Sequence, residues 1–188
     1  MSIVPAEIVG RRLTLADYEA LPEDADYEIV DGVLYVAPRP FPPHQFCLVA
    51  LVRVVAGHAE PRGLGRVIID VDLIIDAQNT YVSPDLMFFT PEQHARIDLA
   101  DKIRVVPELI VEILSESTRR RDMVAKRDAF ARLGVPHYWL LDGRGPAVLE
   151  LTLDPASRRY RERRVEAPEP FRPALFPGLV VDLERMFA

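Results

Sequence analysis

The run Leu109-Ile110-Val111-Glu112-Ile113-Leu114 constrains the fold more than any other stretch of this chain. As a strand it puts Leu109, Val111 and Ile113 on one face and Ile110, Glu112 and Leu114 on the other. Both faces then read as buried, which places the strand inside a sheet with helices packed against it. The one polar residue is the difficulty. An ionised carboxylate is costly in such a place unless it meets a cation or hydrogen-bond donors. The residues that follow supply candidates, Lys126 among them.

Around this strand the remaining segments fall into a mixed order. "TLADYEAL" opens as a short helix with Thr14 as its cap and Asp17 in the capping-box position. "YEIVDGVLYV" predicts a hairpin turning at Asp31-Gly32. "PHQFCLVALVRVVAGHA" predicts a buried helix ending near Gly57, and "RVIIDVDLIID" a single strand with Asp70, Asp72 and Asp76 on a wet face. "SPDLMFF" reads as a short buried strand and "PEQHARI" as a helical turn. "RRRDMVAKRDAFARLG" predicts an amphipathic helix with Met123, Ala129, Phe130 and Leu133 in its apolar stripe, ended by Gly134. "PHYWLLD", "AVLELTLD" and "RYRERRV" predict three more strands, Tyr138 and Trp139 being core aromatics, and "GLVVDLERMF" closes the chain. The expectation is one domain over residues 1–188, of α/β or α+β class, built on a single sheet.

Composition excludes several functions. The 188 residues are enough for a substantial core, and 17 prolines at segment edges read as rigid connections. The single cysteine, Cys47, rules out an intramolecular disulfide and a cysteine metal cluster, and its apolar surroundings predict a buried thiol. No apolar run approaches about 18 residues, and no basic start precedes a hydrophobic segment, so a cytoplasmic protein without membrane spans is expected. A net charge of −6 argues weakly against a general polyanion binder; "TRRRD" (Arg119, Arg120, Arg121) and "SRRYRERR" can form a local basic face, although solvated surface is the ordinary reading of each cluster alone. No glycine-rich phosphate loop is present. Ser115 and Ser117 lack the His and Asp partners of a serine hydrolase.

Four polar positions stand out: Glu28 within "YEIV", Asp85 after Pro84, Glu112, and Lys126 on the following helix. Two carboxylates from neighbouring strands can hold a hard divalent cation, Mg²⁺ or Mn²⁺, through oxygen. A nearby lysine can stabilise phosphate charge or orient an attacking water, so phosphodiester hydrolysis is a natural chemistry for the set. Each position also has an ordinary explanation. Asp85 can cap a turn, Lys126 can pair with Asp122 on a helix surface, and Glu112 can pair with one of Arg119 to Arg121. His44, at the start of the long helix, can face the site or be solvated, and Asp122 can hold Lys126 in place.

The succession "YEIVDGVLY", "HQFCLVALVRVV", "SPDLMFF", "PELIVEILSESTRRRDMVAKRDAFARLGVPHYWLLD" and "LFPGLVVDL" resembles the Uma-two family. That family is assigned to endonucleases of the restriction-endonuclease-like, PD-(D/E)xK fold. The likeness runs from about Thr14 to Leu183 and implies a central mixed β-sheet flanked by α-helices, with metal and DNA at its edge. It implies that Asp85 is the Asp of the PD motif, that Glu112 is the acidic residue of (D/E)xK, and that Glu28 adds a metal contact. The pattern departs at the lysine. Leu114 stands two positions after Glu112, and the likeness implies that the following helix supplies the lysine, making Lys126 the candidate. Two functions follow: a Mg²⁺-dependent endodeoxyribonuclease, or a nuclease-fold module that binds nucleic acid or a protein partner without turnover. The apolar strands and arginine-rich hairpin also suit a homodimer spanning a duplex.

Overall fold

The first two strands, β1 (Tyr27–Val30) and β2 (Val33–Val36), form the expected hairpin. Asp31 and Gly32 both have positive φ (52° and 79°), the backbone of a tight turn whose twist matches the flanking strands. The computed structural model describes residues 12–14, 16–17, 20, 27–36, 40–75 and 79–188. Within that range the Thr14–Asp17 capping box is reciprocal: the Thr14 N–H donates to Asp17 Oδ2 (2.8 Å), and the Asp17 N–H to Thr14 Oγ1 (3.3 Å). Much of the helix it would open, and Asp76, lie outside the described residues.

Helix α1 (Pro42–Ala59) starts on an extended Phe41, with prolines at the first helical positions, where no N–H is needed. Then come β3 (Arg66–Ile68), β4 (Leu73–Ile75), β5 (Thr80–Val82), β6 (Leu86–Phe89), the single turn α2 (Pro91–His94) and β7 (Leu109–Leu114). A π-helical turn, Arg121–Lys126, runs into α3 (Arg127–Leu133). Strands β8 (His137–Asp142), β9 (Ala147–Asp154) and β10 (Arg159–Glu166) follow, and α4 (Leu183–Phe187) ends the chain.

The strands form two sheets. The larger has the order β10-β9-β8-β7-β6-β3, antiparallel except for the parallel pair β7-β8 joined through α3. This is the central mixed sheet that the sequence led us to expect. Its β7 side chains Leu109, Val111 and Ile113 pack with α1 (Leu48, Leu51, Val55) and the C-terminal segment (Phe171, Phe176, Leu183). Ile110, on the other face, packs with Ala129 and Phe130 of α3 and with Tyr138. The Phe130 and Tyr138 rings meet edge to face, 5.0 Å apart, a contact of about 0.5–1.5 kcal/mol beyond burial. Tyr138 and Trp139 are core residues, as is Cys47.

The smaller sheet, β2-β1-β5-β4, corrects the expectation of one sheet. "RVIIDVDLIID" is not one strand. It breaks after Ile68, where Asp70 turns at φ 53°, and its halves join different sheets. Asp70 is exposed as expected, and Asp72, about a third exposed, also accepts the Ser83 hydroxyl (2.6 Å) and pairs with Lys102 (2.7 Å). The segment β5–β6 crosses between the sheets in the same way, through Ser83, Pro84 and Asp85. Pro84 has no N–H to continue a ladder, so the break falls there. Helix α1 runs two residues past Gly57 to Ala59.

Gly65, just before β3, has φ 148°, and a Cβ there would sit 2.0 Å from the Phe89 carbonyl oxygen. Gly57 meets nothing within 4 Å. Urea unfolding should therefore report a loss of about 3 kcal/mol or more for Gly65→Ala. Gly57→Ala should gain about 0.5–1 kcal/mol, because alanine has the better helix propensity. The Cys47 thiol, which burial pushes up to about 12, should resist a thiol reagent at neutral pH until the protein unfolds.

Candidate functional site

The crossing of β5 into β6 delivers the first acidic group. In the antiparallel register of β6 and β7, Leu86 faces Val111, so the next pair outward is Asp85 and Glu112. Asp85 fills that place with its side chain: Oδ2 accepts the Ile113 N–H at 2.6 Å. Its Oδ1 lies 3.2 Å from Nε2 of His44, on the first turn of α1. Asp85 is thus more than a turn cap. Glu28 comes from the other sheet, where β1 pairs with β5, and its Oε1 accepts the Ser83 N–H at 3.2 Å. The junction between the sheets therefore gathers three carboxylates.

Lys126 fills the space between them. Its side chain is 1% exposed, and Nζ lies 2.5 Å from Glu112 Oε1, 2.7 Å from Glu28 Oε1 and 3.6 Å from Asp122 Oδ1. It is no surface lysine, and Glu112 meets this lysine rather than an arginine. Arg121 goes elsewhere, to Glu28 Oε2 (2.8 Å) and Asp122 Oδ1 (3.3 Å). The π-helical turn sets Asp122 and Lys126 both inward, as widened turns often do at functional sites. From the sheet, the Tyr138 hydroxyl donates to the Asp122 carbonyl at 3.1 Å and pins that turn. Burial first, and the nearby carboxylates after it, hold the Tyr138 hydroxyl protonated.

The electrostatics are uneven. Among the described residues, four carboxyl groups (Glu28, Asp85, Glu112 and Asp122) meet two cations, Arg121 and Lys126, and His44. Burial raises the Glu112 pKa most. Lys126 opposes that, Asp122, Asp85 and Glu28 add to it, and the net direction is well upward. For Lys126, burial favours the neutral amine, but Glu112, Glu28 and Asp122 outweigh it and keep the ammonium. Burial also works against a charged His44, yet Asp85 and then Asp122 raise its pKa.

These groups line a cleft of about 990 Å³. It brings together Asp85, Glu112, Lys126, Glu28, His44, Asp122 and Arg121 of the residues singled out by sequence. Arg119 and Arg120 are not in its lining. Arg119 pairs with Asp142 at 2.5 Å, and Arg120 is exposed. Ser115 and Ser117 bond to one another, with Thr118 closing the turn. Among the described residues, no three of His, Cys, Asp and Glu form a ready-made metal cage. The donor set of Asp85, Glu112 and Glu28 nonetheless fits a hard divalent cation, because it is all carboxyl oxygen. Sequence reasoning missed Ser83 and the Tyr138 hydroxyl, whose hydrogen bonds depend on tertiary neighbours. It also missed Phe41, which lines the same cleft.

Similarity to known proteins bears on this geometry. The Uma2 family, described as "Putative restriction endonuclease", matches over residues 15–184. No curated protein matches. Among solved structures, a protein from Anabaena variabilis ATCC 29413, described as "a putative nuclease belonging to DUF820", is 18% identical. The match covers 93% of this chain and 97% of that one, with a TM-score of 0.77. At that identity the likeness is one of fold. No helix among the described residues is long and apolar enough to cross a membrane.

Removing one partner of a buried ion pair strands the other. Lys126→Met should therefore cost about 3–5 kcal/mol of unfolding free energy. Adding Glu112→Gln should recover about 1 kcal/mol or more of that loss in a double-mutant cycle by urea denaturation. Additive effects of the two substitutions would contradict the pairing.

Proposed function

The chain belongs to the Uma2 family, and from that premise we propose that it hydrolyses DNA phosphodiester bonds with Mg²⁺ or Mn²⁺ at the Asp85–Glu112–Lys126 cluster. The observation that carries this reading is the surplus of carboxyl groups over cations at the junction of the sheets. A divalent cation on oxygen ligands is the chemical complement of such a surplus. Asp85 and Glu112 would hold it, with Glu28 as the third carboxylate. When bound, the metal supplies Lewis-acid stabilisation of phosphoryl oxygens and a more acidic water.

The other residues prepare that site. The Ile113 N–H and His44 each take one oxygen of Asp85, which fixes the carboxylate's direction. Lys126 holds Glu112 and Glu28 in one place and carries the positive charge that a phosphate in transition needs. Arg121 and Asp122 steady Glu28 and Lys126 from the π-helical turn.

A second reading, a nuclease-fold module that binds without turnover, has one observation in its favour. Lys126 already sits between Glu28 and Glu112, so a metal must compete with its ammonium. Calorimetric titration with Mn²⁺ separates the two: no binding at millimolar metal favours the module.

For the enzyme, plasmid and oligonucleotide DNA should be cut only when Mg²⁺ or Mn²⁺ is added. Asp85→Asn and Glu112→Ala, each checked for folding by circular dichroism, should lower the rate by about a hundredfold or more. Metal-dependent cleavage that survives both substitutions would contradict the assignment.

A further inference from the structure

We infer that β10 joins the β10 of a second copy of this chain, antiparallel and centred on Arg163, into one continuous sheet. The inference does not depend on the phosphodiesterase reading. Two observations carry it, the open edge of the larger sheet and the order of charges along that edge.

Strand β10 stands at one end of the six-stranded sheet, and among the described residues no strand pairs with its outer side. The Leu153 N–H donates to the Pro136 carbonyl (2.8 Å), toward β8. Tyr160, opposite Leu153, therefore turns its backbone N–H and carbonyl away from β9. The alternation of an antiparallel ladder does the same for Glu162 and Arg164. Farther along the edge closes, because the Glu166 carbonyl accepts the Glu169 N–H (3.0 Å). Proteins blunt such edges with short strands, bulges or prolines. β10 instead runs eight residues, none of them proline, in unbroken register with β9.

What β10 carries is charge, which on an edge usually keeps copies apart. In one register the order of these charges does the opposite. Antiparallel strands related by a two-fold axis set residues of the same sheet face opposite each other. Centred on Arg161, the pair would oppose Arg161 to itself and Arg159 to Arg163. Centred on Glu162, it would oppose Glu162 to itself and Arg161 to Arg163. Centred on Arg164, it would oppose Arg164 to itself and Glu162 to Glu166. Centred on Arg163, it sets Glu162 of each copy against Arg164 of the other, and the outward backbone groups of these two residues meet. Arg163 then faces Arg163, but each guanidinium is already met within its own copy by Glu150 (2.8 Å) and the Arg172 carbonyl (2.6 Å). Glu162 and Arg164 are 47% and 49% exposed, and they hold Arg127 and Glu166 only through surface ion pairs. Such pairs contribute little, so partners can be exchanged at small cost. Strand β7, which carries Glu112, stands three strands in from this edge, so the pairing draws on none of the residues of the site.

Sedimentation velocity of the full chain at about 100 μM, where a micromolar contact is saturated, should show a dimer. Glu162→Arg or Arg164→Glu sets like charges opposite each other and should weaken the dimer by about tenfold or more. The two substitutions together should restore it, which a folding defect would not do. Arg163→Cys should form a covalent dimer with a mild oxidant, because opposed Cα atoms at such a place lie about 4.5 Å apart, within disulfide range. Arg161→Cys, opposite Val165 in the same register, should not. Cys47 is buried, so the unsubstituted chain should stay uncrosslinked. A monomer at that concentration, a dimer that both charge reversals leave unchanged, or crosslinking through Arg161→Cys as readily as through Arg163→Cys would overturn the inference. Each of these outcomes is read without reference to DNA cleavage.

Discussion

An ammonium group buried away from water must be surrounded by negative charge, and Lys126 meets that requirement with carboxylates from two sheets and its own helix. Glu112 comes from the central strand of the six-stranded sheet and Glu28 from the four-stranded one. Asp122 comes from the same π-helical turn as the lysine. The contact therefore ties three pieces of the fold to one atom. The chain passes from one sheet to the other between β3 and β4 and again between β5 and β6. Isolated buried ion pairs often add little net stability, because desolvation offsets attraction.

The consequence is a site crowded with carboxyl groups. Among the described residues one lysine and one arginine face four carboxyl groups, and burial with this crowding pushes the Glu112 pKa well upward. That imbalance favours any cation that can enter the cleft, and oxygen ligands favour a hard one. Membership of a family described as restriction endonucleases agrees with this chemistry.

Much of the site was legible because burial of charge leaves a mark in sequence. Glu112 interrupts an apolar run, Glu28 interrupts a hairpin arm, and Asp85 follows a proline at the head of a strand. Lys126 stood out as a cation on the helix after Glu112, and the family likeness added its reading as the displaced lysine, since the strand position usual for such a lysine holds Leu114. The hairpin and the helices on a sheet followed from turn residues and periodicity, and the central mixed sheet from the family likeness. The second sheet did not. "RVIIDVDLIID" alternates without interruption, and nothing in that alternation marks Asp70 as a residue at φ 53°. The π-helical turn was equally hidden, because its apolar spacing differs little from that of an α-helix over two turns. Gly57 misled as a helix end. It faces open space, so the helix passes through it with no steric cost.

The central claim is that the carboxylates around Lys126 hold a divalent cation. Anomalous diffraction from crystals soaked in Mn²⁺ tests it most directly. The account predicts one strong anomalous peak within about 2.0–2.6 Å of oxygens of both Asp85 and Glu112. Crystals soaked in millimolar Mn²⁺ with no peak at these carboxylates, and with the Lys126 contacts to Glu28 and Glu112 unchanged, would contradict it.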